Sequence, residues 1–369
     1  NGSSVAVTDT PVGRIVLNGI KFSVQSGLLG LQGLNHYSTT INGVDVVDGT
    51  NNGMVLAVNT TIINPSNVNI QSGNVTLLLV NHDVVGDVLL NDLNLVIGEN
   101  NITATSLFNP KASPYGYGML NRYVSGLDTR VNISGYGGSS SIASLVPAFS
   151  AIRINSTLGG LKEKLVQQAA LQVLNTTGIE DDVAHSTVSL NNPFSAGLKI
   201  SHISSNVSIH GIFVAQIDTD LDFSAPGKAV ALSPEIPLHL NLYPPDMFAL
   251  VRALALQAGE DVRQLDGIVK LGGYTYSNTT DANNDRKMSK RALNDMDNFV
   301  TDHPLSKRKT NMYTGFNLPN FVDKAFSVAS ANLEIFARTH IGDYVTPLTF
   351  AQQNVPMKTD SSLNLLLPV

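Results

Sequence analysis

Residues 218–222 read "DTDLD", setting Asp218, Asp220 and Asp222 two positions apart. On a strand that spacing puts three carboxylates on one face and Ile217, Thr219, Leu221 and Phe223 on the other. Three carboxylates in a row are oxygen ligands of the kind calcium takes. The alternation around them favours the solvent face of a half-buried strand instead. A second acidic run, "DANND" at 281–285, imitates the start of a calcium loop. Arg286 stands where that loop needs its turning glycine, and Ala292 where it needs a bidentate glutamate, so this reading is rejected. The eight histidines are scattered, with no His-x-x-x-His pair. His202 and His210 are close enough to share a face, but satisfied or exposed strand histidines account for them without a metal. "SGYGGSSS", residues 134–141, lacks the order of a nucleophile elbow and reads as a flexible turn or linker. Phosphate loops and dinucleotide fingerprints are missing from the sequence. The expectation is therefore a protein without catalytic residues, cofactor or metal, and not an enzyme.

Two other kinds of chemistry remain. Asn-x-Ser/Thr acceptors stand at Asn1, Asn59, Asn74, Asn101, Asn132, Asn155, Asn175, Asn206 and Asn278. They are candidate N-glycosylation sites if the chain follows the secretory route. Pro65 disqualifies Asn64. The dibasic pairs Lys290-Arg291 and Lys307-Arg308 lie in a polar stretch with little apolar periodicity. They are candidate processing sites, although a solvated loop that happens to carry lysine and arginine explains them better.

The composition agrees with the neutral-polar surface of a protein on the secretory route. Charged residues make up only 14%, below the usual globular share, and Asn, Ser, Thr and Gly fill the gap. The net charge of -6 offers nothing to a nucleic-acid backbone. The absence of cysteine removes disulfide frameworks and thiolate chemistry, and the absence of tryptophan removes the antibody-type Cys-Trp-Cys pattern. None of the apolar runs reaches membrane-spanning length. The chain starts at Asn1 without methionine, so a membrane anchor, if one exists, is expected outside it.

The elements that must carry these residues are mostly strands. "GRIVLNGIKFSVQ", "GMVLAVNTTIIN", "GNVTLLLVN" and "IPLHLNLY" alternate, punctuated by Gly and Asn at short intervals. Two helices are expected. Leu158–Leu174 places Leu161, Leu165, Ala169 and Val173 on one face, and Pro245–Ala258 has proline in its first turn and Gly259 just beyond its end. Landmarks then repeat. "LQGL" at 31–34 returns as "LGGL" at 158–161, and Asn64-Pro65 returns as Asn192-Pro193. The offsets are 161 minus 34, or 127, and 192 minus 64, or 128. Proline lacks an N–H and cannot continue a central ladder, and the preceding asparagine can hydrogen-bond the turn, so each Asn-Pro is read as the corner ending a strand. Two corners in equal phase imply two domains of one type.

At these residues the chain resembles a family. "INPSNVNIQSGNVTLLLVNHDVVGDVLLNDLNLVIGENN" is similar to the late-embryogenesis-abundant type 2 (LEA-2) domain: a strand ending in Asn-Pro, a strand pair, Gly86, the leucines 90, 93 and 95, and Gly98-x-Asn100. The whole chain resembles fungal membrane-anchored proteins with tandem LEA-2-like domains, a group of uncharacterised function with one yeast vacuolar member linked to terminating autophagy. The second copy departs by lacking the Gly-x-Asn close. The resemblance implies mainly β structure: tandem antiparallel β-sandwiches, immunoglobulin- or fibronectin-like, with a few short helices and no catalytic residues. The expected organisation is a first sandwich at 1–148, a second with helices at 149–276, a polar insertion at 277–312, and strands of a third or completing β-domain at 313–369. Two functions follow as expectations. One is a structural or assembly protein that self-associates through edge or terminal strands, notably the final "SLNLLLPV". The other is a lipid-binding or lipid-transfer module with an apolar groove beneath the helices.

Overall fold

The computed structural model describes residues 2–23, 27, 29–34, 39–172, 181–271 and 318–359. The chain is mainly β, in two repeated barrel-like units. The first contains β3 (Thr39–Thr50), β4 (Gly53–Asn64), β5 (Ile70–Asn81), β6 (Asp83–Leu95), β7 (Gly98–Phe108), β8 (Thr129–Ser134) and β9 (Arg153–Leu158). They pair in the order β3-β4-β7-β6-β5-β8-β9, and a parallel contact between β9 and β3 closes the ring. The second contains β10 (Val166–Gln172), β11 (Val183–Asn192), β12 (Leu198–Ile209), β13 (Ile212–Ala225), β15 (Ile236–Leu240), β16 (Ser330–Ile341) and β17 (Tyr344–Thr359). Its order is β10-β11-β15-β13-β12-β16-β17, again closed by a parallel contact, here β17 to β10. A short β14 (Ala229–Leu232) also pairs with β11. The two circular orders match strand for strand, with β16 and β17 where the first ring has β8 and β9. In both, hydrogen bonding runs round a ring where two facing sheets were expected.

The Asn-Pro corners sit in matching surroundings. Asn64 is buried; its side-chain amide donates to the carbonyls of Val68 (3.0 Å) and Leu95 (3.3 Å), and its Oδ1 accepts from the Ser66 N–H (2.9 Å). Asn192, also buried, donates to Ala196 (2.8 Å) and Ala225 (3.2 Å) and accepts from Phe194 N–H (3.1 Å). Each asparagine thus ties its own turn, four residues on, to the end of the strand that closes the next hairpin. Pro65 and Pro193 sit at the position where no ladder N–H is required.

The helix expected over Leu158–Leu174 is not formed. β9 ends at Leu158, Gly159-Gly160 break the chain, and β10 pairs with both β11 and β17. Ring closure demands a strand there, and it overrides a helical apolar spacing. The buried Gln352 side chain clamps this strand: its Oε1 accepts from Val166 N–H (3.0 Å) and its amide donates to the Val166 carbonyl. The other expected helix is present as α3 (Pro244–Gln257), ending with Gly259 at φ +77°. Its buried Leu250 and Leu254 face inward, and α5 (Leu318–Phe326) packs against it. Among the described residues the other α-helices are α1 (Pro114–Val124), α2 (Val146–Ser150) and α4 (Arg263–Leu271).

"SGYGGSSS" is a fixed turn, not a flexible linker. Ser139 Oγ accepts from the Tyr136 N–H (2.9 Å), Thr76 N–H donates to the Ser139 carbonyl (3.0 Å), and a Cβ on Gly135 would lie 1.7 Å from the Phe149 carbonyl oxygen. One boundary differs from the expected one: the strand closing the first ring ends at Leu158, beyond residue 148. Of the two alternatives for the strands after residue 313, a third domain or a completing one, β16 and β17 pair within the second ring. Ahead of the rings, β1 (Gly2–Thr10) and β2 (Gly13–Phe22) form a separate two-stranded sheet.

Candidate functional site

The residues that converge most closely lie where the two rings meet. The Asn192-Pro193 corner presses against the end of β3: Ala196 N–H donates to the Val46 carbonyl (2.8 Å). Asp45, on the outer side of β3, accepts from both the Ser195 N–H (2.8 Å) and Ser195 Oγ (2.6 Å), and Lys228 Nζ stands 3.2 Å away. Burial raises the Asp45 carboxyl, but the Ser195 hydrogen bonds and the Lys228 ammonium outweigh it and hold the group below its ordinary value of 3.8. A few residues along, the β16–β17 turn meets the β3–β4 turn. Asp343 N–H donates to the Gly49 carbonyl (3.0 Å), and a Cβ on Gly49 would sit 1.8 Å from the Ile341 carbonyl oxygen. Only glycine permits that approach. Tyr344 is buried; its hydroxyl donates to Asn109 Oδ1 (3.1 Å), and Lys111 Nζ lies 4.8 Å from its ring centre. Thr349 N–H donates to Asn121 Oδ1 (3.1 Å).

Inside this polar collar the cores of the two rings are continuous. A cavity of about 60 Å³ remains at the seam, and Val46, Leu120, Tyr123, Phe194, Ile341 and Leu348 are among the side chains around it. Burial, with a smaller contribution from Asp45, pushes the Tyr123 phenol up to about 12, so it stays neutral. A second, more open cavity of about 270 Å³ lies beside β10 and β11, where His185 Nδ1 meets Glu235 Oε2 at 3.2 Å.

The sequence singled out the Asn192-Pro193 corner, but not the residues of the first ring that it meets. Asp45 and Ser195 are 150 positions apart, and although Ser195 follows the Asn192-Pro193 corner, Asp45 belongs to no local motif. On the first ring the usable signal was Gly49, a glycine after an alternating run, and it reads as an ordinary hairpin residue.

The residues that the sequence did single out are spread over the outside. Asp218, Asp220 and Asp222 are exposed along β13, while Ile217 and Phe223 on the other face are buried. His202 bridges Asp218 (3.4 Å) and Asp220 (2.9 Å), and Lys199 meets Asp222 (2.9 Å). The neighbouring strand β12 thus gives each carboxylate of the acidic row a partner. Among the described residues no group of three His, Asp or Glu is placed to hold a metal. His210 lies apart from His202, in the β12–β13 turn, with its Nε2 2.7 Å from Gln257 Oε1.

The sequon asparagines Asn59, Asn74, Asn101, Asn132, Asn155 and Asn206 are all exposed, whereas the buried Asn64, Asn100 and Asn192 carry no sequon. Two sequons face one another across β4 and β7: Thr61 Oγ1 donates to Asn101 Oδ1 (2.7 Å) and Thr103 Oγ1 to Asn59 Oδ1 (3.0 Å). Asn1, Asn175, Asn278, both dibasic pairs and the "SLNLLLPV" tail lie outside the described residues.

Comparison with known proteins adds little about activity. No curated protein matches the chain. Among solved structures, a protein from Archaeoglobus fulgidus is similar at 11% identity and TM-score 0.20, over 50% of this chain and 90% of that one. The secreted serine protease VesC from Vibrio cholerae is similar at 11% identity and TM-score 0.15, over 53% of this chain and 46% of that one. The collagen adhesin of S. aureus gives 9% identity and TM-score 0.13, over 88% and 94%. One family matches, described as a protein of unknown function, DUF3712, over residues 2–79, which span the leading hairpin and the first three strands of the first ring.

Proposed function

We propose that this chain is a non-catalytic structural segment of a secreted or lumenal glycoprotein, built from tandem LEA-2-like rings held in a fixed mutual orientation. The observation that carries this is the seam. Backbone-to-backbone contacts at Val46–Ala196 and Gly49–Asp343, with a shared core beneath them, suit a body that transmits position and force. Flexibly linked domains need no glycine whose Cβ would strike its neighbour. The outward placement of six sequon asparagines supports the secretory route and a glycan-covered outer surface. A lumenal or cell-surface location goes with this reading. So does assembly through a terminal strand, which sizing and electron microscopy at high concentration would test.

The test is small-angle scattering of protein secreted from a eukaryotic host, with glycopeptide mass spectrometry on the same sample. The expected result is one rigid particle, with sugar on several of Asn59, Asn74, Asn101, Asn132, Asn155 and Asn206. Scattering from two independently tumbling rings would overturn the structural reading.

The second reading, binding of a lipid or another apolar ligand, draws on the seam cavity. Its volume of about 60 Å³ is far below the 300–1,000 Å³ or so of ligand pockets, so the seam would have to open to admit an acyl chain. Lipid-extract mass spectrometry that recovered a stoichiometric lipid would favour this reading over the structural one.

A further inference from the structure

The leading hairpin has a twin. β1–β2 turns through two residues, Pro11-Val12, and β16–β17 turns through two, Gly342-Asp343. Laid turn on turn, the two share residues at matching places. Ala6 pairs with Leu17 as Ala337 pairs with Leu348, and Thr8 stands opposite Ile15 as Thr339 stands opposite Thr346. In β16–β17 the face carrying Ala337, Thr339 and Thr346 is buried in the second ring, and Leu348 reaches the seam cavity. In β1–β2 the same face is bare: Ile15 is 42% exposed and Leu17 53%. Two strands alone are marginal in water, and three or more with a covered face are needed for stability.

The end of the first ring next to this hairpin is also uncovered where its counterpart is not. Val68 occupies the place in the first corner that Ala196 occupies in the second, four residues after the buried asparagine. Ala196 is buried in the seam, whereas Val68 is exposed, as are Val96 and Ile97 in the adjoining turn. Asn67 stands where Ser195 stands. Ser195 is gripped by Asp45 of the preceding ring, and Asn67 is gripped by the chain leaving the hairpin: Leu29 N–H donates to its Oδ1 (3.0 Å), and its amide donates to the Gly27 carbonyl (2.7 Å). At the far end of the second ring, by contrast, α5 lies on α3.

We propose that β1–β2 is the closing hairpin of a further ring of the same type, supplied by sequence preceding Gly2 in the polypeptide, and that this ring stacks on the Asn64-Pro65 end of the first ring through a second seam. The proposal rests on the structural reading above. The first ring is then an interior member of the array, with a neighbour at each end. Val68, Val96 and Ile97 meet the end of a strand equivalent to β3, and the bare face of β1–β2 enters that ring's core.

Hydrogen exchange on two forms tests this: residues 1–369, and the polypeptide extended upstream in its natural sequence. In the shorter form the β1–β2 amides should exchange at nearly unfolded rates. In the longer form they should slow at least about a hundredfold. Leu17→Asp should unfold the added ring and leave the unfolding of residues 39–359 unchanged. Equal, fast exchange in both forms overturns the proposal. So does a shorter form that dimerises and protects the hairpin, because a second copy would then be the occupant. A protected hairpin in a longer chain whose scattering shows freely tumbling rings would sink the structural function and the second seam together, and leave only the hairpin's place in a further ring standing.

Discussion

Gly49→Ala is the sharpest perturbation of the seam. The added methyl would sit 1.8 Å from the Ile341 carbonyl oxygen and 2.8 Å from its carbon, both main-chain atoms that no rotamer change can move. Relief requires the β16–β17 turn to back away, which breaks the Asp343 N–H to Gly49 carbonyl bond. Overpacking of this kind costs about 1–3 kcal/mol, and the lost hydrogen bond about 1 kcal/mol more, giving a destabilisation of about 2–4 kcal/mol. Gly43→Ala is the control: it lies on the same strand with nothing within 4 Å, and should be neutral or stabilise by up to about 1 kcal/mol. The assay is urea unfolding followed by fluorescence of the ten tyrosines. Wild type should unfold in one transition, and Gly49→Ala should shift its midpoint or split it in two as the rings uncouple. If both variants unfold like wild type, the two rings do not meet in solution as described, and the structural reading loses its support.

Asp45 makes the seam sensitive to acid. Its folded value lies below 3.8, so the stability it lends is present above that value and lost as pH falls through the folded one; Asp45→Asn should cost about 1–2 kcal/mol at pH 7, and the gap to wild type should close below pH 3.8, as thermal melts across pH would show. Asn192→Ala strands the buried carbonyls of Ala196 and Ala225 and should cost about 2–4 kcal/mol, with Asn64→Ala costing about as much; calorimetry giving markedly unequal values would break the equivalence of the corners. Phe194→Ala enlarges the seam cavity and should cost about 3–5 kcal/mol by urea unfolding.

The parts of this fold that sequence reasoning reached are those governed by local chemistry. Strand alternation placed β4, β5 and the acidic face of β13. Proline and glycine marked both ends of α3. The Asn-Pro repeat identified two like units because the same side-chain amide must satisfy the same turn twice. Reasoning failed where a distant partner decides. β10 carries helical spacing, yet it becomes a strand because β11 and β17 need it to complete the ring. The closure of each ring by a parallel pair, Thr39 with Ser156 and Ala169 with Met357, leaves no trace in local pattern. Asp45, Ser195 and Lys228 look like ordinary surface residues until the chain brings them together.

The parallel closures also set a timetable for synthesis. The first ring can shut once Leu158 has left the ribosome. The second must wait for Met357, because β10 has no parallel neighbour until β17 arrives. At about 5–20 residues per second, that leaves β10 unpaired on one side for roughly ten to forty seconds. The corner at Phe194–Ala196 emerges early in this interval, and its docking place on Val46 and Asp45 is already built. The finished ring can therefore hold the nascent one by its corner and act as a template on which the open strands gather, sparing them a long exposure to other chains.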